Sequence, residues 1–127
     1  MTQARILIAD DEEGIRELLH EQLDSSGYAT DDAKDGAEAI EKLEQNTYDL
    51  AILDINMPRK SGLDVLRFIR DRGLQMGVIM LTGRLGFSVG SESMLLGADE
   101  YITKPFDLEY LELAIQKVLA GGKTGKE

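Results

Sequence analysis

The sequence contains no cysteine, and this absence narrows the chemistry that is open to the chain. Disulfides, thiolate metal sites and cysteine nucleophiles are all excluded. The only histidine, His20, lies off the apolar face of its predicted helix, which indicates a surface residue rather than a phosphohistidine or a metal ligand. Neither sulfur nor imidazole chemistry is therefore expected.

Long apolar runs are also missing. No stretch approaches the roughly 20 apolar residues that cross a bilayer, and the Ile-Leu-Ile run at 6–8 is too short for a secretory signal. We therefore expect a cytoplasmic protein that does not associate with membranes. The net charge is −10, and an acidic domain repels phosphate backbones, so we expect no direct nucleic-acid binding by this chain.

The length of 127 residues suits a single domain. Hydrophobic residues make up 43% of the chain, close to the globular average, so wholesale disorder is not expected. Residues 121–127 are rich in glycine and lysine. We expect one folded domain over residues 1–120, followed by a flexible tail or the start of a linker at 121–127.

Short apolar runs alternate with segments of helical period along the chain. Strands are predicted at 5–9, 28–33, 50–53, 78–81 and 101–102. In the first helix, Ile15, Leu18, Leu19 and Leu23 are predicted to form one apolar face. The alternation predicts an α/β fold with a mostly parallel sheet and helices on both faces. The second strand contains two aspartates and suits an edge position.

Polar side chains follow the predicted strands at their carboxyl ends. Asp10 and Asp11 end the first strand, Asp54 the third and Thr82 the fourth, and Lys104 follows the fifth. In open parallel sheets this edge is where ligands bind. Each residue alone has a simpler explanation, such as a helix cap, a turn, a strand end or a surface charge. Their conjunction at four strand ends favours a common site.

Three close carboxylates repel one another, and a hard cation such as Mg²⁺ relieves that repulsion. A carboxylate beside such a cation can act as a nucleophile and form an aspartyl phosphate. Phosphoryl transfer mainly requires positioning and neutralisation of the oxygens, for which Lys104 and Thr82 are suitable groups. The pattern therefore favours Mg²⁺-assisted phosphoryl chemistry.

Motifs in the same order and spacing recur along nearly the whole chain. They are ILIADDE at 6–12, GY at 27–28, AKDG at 33–36, DLAILD at 49–54, NMP at 56–58, Gly62, LT at 81–82, GADEY at 97–101 and TKPF at 103–106. In these motifs the sequence resembles the receiver domains of two-component response regulators, including chemotaxis regulators. The resemblance implies a (βα)5 doubly wound, flavodoxin-like three-layer sandwich with a parallel sheet in the order 2-1-3-4-5.

The resemblance also assigns roles at the metal and phosphoryl site. It implies that Asp54 is the phosphoacceptor and that Asp11 and Asp54 bind Mg²⁺ directly. The backbone carbonyl of Asn56 would complete these protein ligands, and Asp10 would act through water. Lys104 would pair with the phosphoryl group.

Further residues are implied in switching. The bond from Lys104 to Pro105 is expected to be cis. Thr82 would move onto a phosphoryl oxygen, and Tyr101 would turn into the space that Thr82 leaves. This movement would change the surface formed by the fourth helix, the fifth strand and the fifth helix.

The implied partners are a sensor histidine kinase or phosphotransfer protein, and an output domain or downstream protein. A homodimer through the switching surface is also consistent with the resemblance. Two alternatives stay open. One is a receiver-like interaction module that takes no phosphate. The other is a Mg²⁺-dependent phosphatase that forms an aspartyl phosphate, but such enzymes often carry a second aspartate where this chain has Asn56.

The segment after Thr82 departs from the residue pattern that is usual in the family. Gly86 and Gly90 each cost a helix roughly 1 kcal/mol relative to alanine. The departure predicts a short, frayed or mobile fourth helix that starts near Gly90. The alternative is an ordinary helix that is stabilised by the packing of residues 94–96.

Overall fold

The structure, a computed structural model, describes residues 3–83, 94 and 96–121. The strands are β1 (Arg5–Ala9), β2 (Ala29–Ala33), β3 (Leu50–Asp54), β4 (Gly77–Thr82) and β5 (Glu100–Thr103). The helices are α1 (Glu13–Ser25), α2 (Gly36–Gln45), α3 (Gly62–Asp71) and a C-terminal helix (Leu108–Leu119). The prediction for a fourth helix near Gly90 lies outside the described residues.

The five strands form one parallel sheet in the order β2-β1-β3-β4-β5. The predicted fold class and strand order are confirmed, and β2 lies at an edge as expected. None of the helices in the described part of the chain has the length and hydropathy needed to span a bilayer.

The core consists of two apolar layers, one on each face of the sheet. Successive side chains of a strand point to opposite faces, so β1 contributes Leu7 and Ala9 to one layer and Ile6 and Ile8 to the other. The first layer is covered by α2 and α3, and the second by α1 and the C-terminal helix. Burial on both faces explains why the central strands are continuous apolar runs.

The predicted apolar face of α1 is wrong at one position. Leu19 and Leu23 are buried, and Ile15 packs against them, but Leu18 is 42% exposed. Consecutive helical residues are separated by about 100° around the axis. Leu18 therefore points away from the stripe that its neighbour Leu19 occupies, even though its spacing from Ile15 is helical.

Two helix caps shape the loops near the carboxyl end of the sheet. Asp35 caps α2, and its Oδ1 accepts a hydrogen bond from the Glu38 N–H at 2.8 Å. Ser61 and Asp64 form a reciprocal capping box at the start of α3. Such caps satisfy backbone N–H groups that have no partner within the helix. The loop that connects β3 to α3, residues 55–61, therefore lies near two capped helix ends, the start of α2 and the start of α3.

Candidate functional site

The carboxyl ends of the strands bring the predicted polar residues together. Asp54 is the last residue of β3 and lies beside Leu81 of β4, while Thr82 ends β4. The Lys104 N–H donates to the Thr82 carbonyl at 2.7 Å, which fixes Lys104 next to the end of β4. The peptide bond from Lys104 to Pro105 is cis.

Lys104 lies among three carboxylates at this edge. Its Nζ is 2.9 Å from Asp10 Oδ2, 3.4 Å from Glu12 Oε1 and 3.6 Å from Asp54 Oδ1. The contact with Asp10 is a close ion pair, and a single ammonium group faces all three carboxylates. Lys104 therefore compensates the acidic site only in part.

Asp10, Asp11 and Asp54 form a compact acidic cluster. Each offers a carboxylate oxygen, and these three oxygens lie within 4.8 Å of one another. Asp10 and Asp54 are buried, whereas Asp11 is exposed. Mg²⁺ takes six oxygen ligands at about 2.0–2.1 Å and normally keeps several waters. The spacing of the carboxylate oxygens and the buried Asp10 Oδ2, which accepts no well-directed hydrogen bond from the described residues, fit such a cation.

The pKa of Asp54 differs from that of an ordinary carboxyl group because of burial and a neighbouring like charge. Burial, followed by the charge of Asp10, raises the pKa of Asp54 to about 7, although Lys104 opposes the shift. Burial also raises the pKa of Asp10. Burial by itself would lower the pKa of Lys104, but the neighbouring carboxylates outweigh burial and raise this pKa. Without a cation, this site is short of positive charge.

The loop at 55–61 leaves Asp54 and returns to it. The Asn56 N–H donates to Asp54 Oδ1 over a long 3.4 Å, and the Gly62 N–H donates to the Ile55 carbonyl at 2.9 Å. A Cβ on Gly62 would lie only 2.3 Å from the Asp54 carbonyl oxygen. The return of the chain at this distance therefore requires glycine.

The residues expected to act in switching lie on neighbouring strands. Thr82 is buried at the end of β4. Tyr101 is half-buried in β5, lies beside Met80 in the strand register and packs against the core layer that contains Met80. The two positions thus join the acidic cluster to the outer strand of the sheet.

Sequence reasoning assigned no role to several residues around the cluster. Glu12 contacts Lys104, and its place directly after the aspartate pair was the available signal. Asp35 and Arg59 form an ion pair beside the loop at 55–61. No local pattern links these two residues, because 24 positions separate them in the chain.

Comparison with known proteins decides the family. The family model for the response regulator receiver domain matches residues 6–116. The chain belongs to this family. As a receiver domain of response regulators, it is a phosphorylation-dependent signalling module.

Curated relatives are similar to this receiver domain over most of its length. Response regulator MprA of Mycobacterium sp. (strain KMS) is 38% identical over 115 residues, which are 91% of this chain and 50% of the relative. Transcriptional regulatory protein DltR of Streptococcus agalactiae is 40% identical over 107 residues, 84% of this chain and 48% of the relative. The receiver domain thus spans about half the length of the curated relatives it matches.

Solved structures share the fold. Response regulator TrrA from Thermotoga maritima, in complex with Mg²⁺-BeF, is 42% identical with a TM-score of 0.80, and the match covers 91% of this chain and 99% of that one. A CheY-like receiver domain protein from Methanospirillum hungatei is 31% identical with a TM-score of 0.90, over 94% of this chain and 96% of that one.

Proposed function

We propose that this receiver domain accepts a phosphoryl group onto Asp54 from a histidine kinase or phosphotransfer protein. The observation that carries the proposal is the buried Asp54 carboxylate, which lies in one cluster with Asp10 and Asp11. Lys104 Nζ is 3.6 Å from Asp54 Oδ1. The proposed domain covers residues 1–120, and residues 121–127 form a tail or linker.

In this proposal Asp11, Asp54 and the Asn56 carbonyl hold Mg²⁺, and Asp10 acts through water. When bound, the cation neutralises the acidic cluster and the negative charge on the phosphoryl oxygens. The closeness of the Asp10, Asp11 and Asp54 carboxylate oxygens supports a cation at this place.

The transfer forms a bond between an Asp54 carboxylate oxygen and phosphorus while the bond from phosphorus to the donor's imidazole nitrogen breaks. Asp54 reacts in its ionised form. Because its pKa is about 7, much of it is protonated near neutral pH until positive charge is supplied. Lys104 is close enough to move from Asp10 onto a phosphoryl oxygen, and the Thr82 hydroxyl can donate to another. The domain would catalyse only its own phosphorylation and dephosphorylation.

The proposed readout runs through Thr82 and Tyr101 to the surface of β5 and the C-terminal helix. Tyr110 and Leu113 on that helix are 51% and 61% exposed, and the Tyr110 hydroxyl donates to Glu100 of β5 at 3.2 Å. A downstream protein, an output domain or a second copy of the chain would bind this surface according to the position of Tyr101.

Incubation with Mg²⁺ and acetyl phosphate tests the proposal by intact-mass spectrometry. We expect the mass of one added phosphoryl group, and no gain with Asp54→Asn or after chelation of Mg²⁺. An unchanged wild-type mass, or a gain that survives Asp54→Asn, would instead support an interaction module. Sustained hydrolysis of phosphomonoesters would indicate a phosphatase.

A further inference from the structure

The loop at 55–61 is held against the start of α2 by two contacts. Arg59 Nε is 3.1 Å from Asp35 Oδ2. The Lys60 carbonyl oxygen lies only 2.0 Å from the position that a Cβ on Gly36 would take, so the two backbones meet where no side chain would fit. The loop that follows the phosphoacceptor is therefore supported from a second helix.

Asp35 is itself a fixed anchor. Its side chain is buried, and its Oδ1 is used by the Glu38 N–H to cap α2. That backbone hydrogen bond, and after it the charge of Arg59, keep the pKa of Asp35 below its usual range despite burial. The second carboxylate oxygen is thus a stable negative charge that faces the loop.

Arg59 also adopts an unfavourable backbone conformation. Its φ is 70°, in the left-handed region that is strained for a non-glycine residue. Its side chain is 64% exposed, against 7% for Asp35, so solvent screens the pair from the arginine side and weakens its contribution to stability. Stabilisation of the fold alone therefore does not account for this ion pair. Backbone strain such as that of Arg59 tends to occur at functional sites.

Asn56 lies three positions before Arg59 in the same loop. Its N–H reaches Asp54 Oδ1 only over 3.4 Å, which is a weak contact. We propose that Asp35 and Arg59 are positioning residues that hold the Asn56 carbonyl and the Asp54 carboxylate toward one Mg²⁺. This inference rests on the proposed function.

Substitution of Arg59 distinguishes positioning from simple electrostatics, because the two predict opposite changes in Mg²⁺ affinity. Arg59→Gln removes a positive charge, so electrostatics alone would strengthen Mg²⁺ binding. Loss of positioning would weaken it, by roughly 10-fold, in the range seen when residues that orient metal ligands are changed. Arg72→Gln is the matched control, since Arg72 is an exposed arginine that pairs with Glu44 of α2 at 3.5 Å.

We would titrate each protein with Mg²⁺ by isothermal calorimetry at constant ionic strength, and measure its melting temperature without Mg²⁺. Asp35→Asn keeps an oxygen to cap α2 but removes the charge. It should weaken Mg²⁺ binding as Arg59→Gln does. The double variant should lose no more Mg²⁺ affinity than either single variant, because both substitutions break the same contact. Arg59→Lys, which keeps the charge, should recover part of the affinity.

Equal Mg²⁺ affinities for Arg59→Gln, Arg72→Gln and wild type would overturn the positioning role, as would additive losses in the double variant. If Asp35→Asn does not fold, Arg59→Gln and Arg59→Lys decide the question without it. A wild-type protein that binds no Mg²⁺ would overturn the proposed function as well. Normal wild-type binding with unaffected variants would overturn the positioning role alone.

Discussion

Gly62→Ala tests how closely the chain must return to the phosphoacceptor. Gly62 is the first residue of α3, and its backbone φ lies outside the left-handed region, so alanine can adopt its conformation. The added Cβ would lie 2.3 Å from the Asp54 carbonyl oxygen and 2.9 Å from its carbonyl carbon. The substitution therefore isolates a steric effect on the backbone of Asp54.

The size of the effect follows from these distances. Real Cβ contacts essentially never fall below 3.0 Å, so Asp54 or Gly62 must move by at least about 0.7 Å. Overpacking of this kind costs about 1–3 kcal/mol, while the loss of glycine's unfolded-state entropy returns about 0.4–1 kcal/mol. We expect a net destabilisation of about 1–2 kcal/mol. Misplacement of a reacting group by about 1 Å can cost on the order of 100-fold in rate, so phosphorylation should slow by about 10- to 100-fold.

Urea denaturation and the rate of phosphorylation by acetyl phosphate measure the two effects separately. Gly14→Ala is the control, because Gly14 is in α1 and its added Cβ would meet no atom within 4 Å. It should be at least as stable as wild type and react at the same rate. A Gly62→Ala protein with wild-type stability and rate would refute the reasoning.

Three further predictions concern stability. The folded-state pKa of Asp54, about 7, lies above the ordinary 3.8, so the folded protein holds the proton more tightly. Without Mg²⁺, the free energy of unfolding should therefore rise as the pH falls from about 8 to about 5, by a few kcal/mol at most, and Asp54→Asn should flatten this dependence. Tyr48→Phe removes a hydroxyl that donates to Asp31 at 2.7 Å and should cost about 1 kcal/mol in urea denaturation, whereas an unchanged midpoint would contradict a stabilising role. Arg70→Met removes two donors to the Gly97 carbonyl, at 2.8 and 3.0 Å, and a cation beside the buried Asp99 carboxylate. It should cost about 2–4 kcal/mol by the same method, and a loss under 1 kcal/mol would contradict this account.

The sequence alone carried the information that is local in the chain. Apolar runs and helical spacing predicted the alternation of strands and helices, and the residue types at the strand ends predicted the acidic cluster of Asp10, Asp11 and Asp54. These inferences succeed because a parallel sheet must bring the carboxyl ends of its strands to one edge. The strand order followed from the resemblance, and the structure confirms it.

Only the tertiary structure decided the features that depend on distances between remote segments. The ion pair between Asp35 and Arg59 and the contact of Gly62 with Asp54 have no signature in local spacing. The raised pKa of Asp54 likewise depends on burial and on the charge of Asp10, which β1 and β3 bring close from 44 positions away in the chain. Such energies change steeply over fractions of an ångström, whereas sequence patterns specify only which faces and strand ends meet.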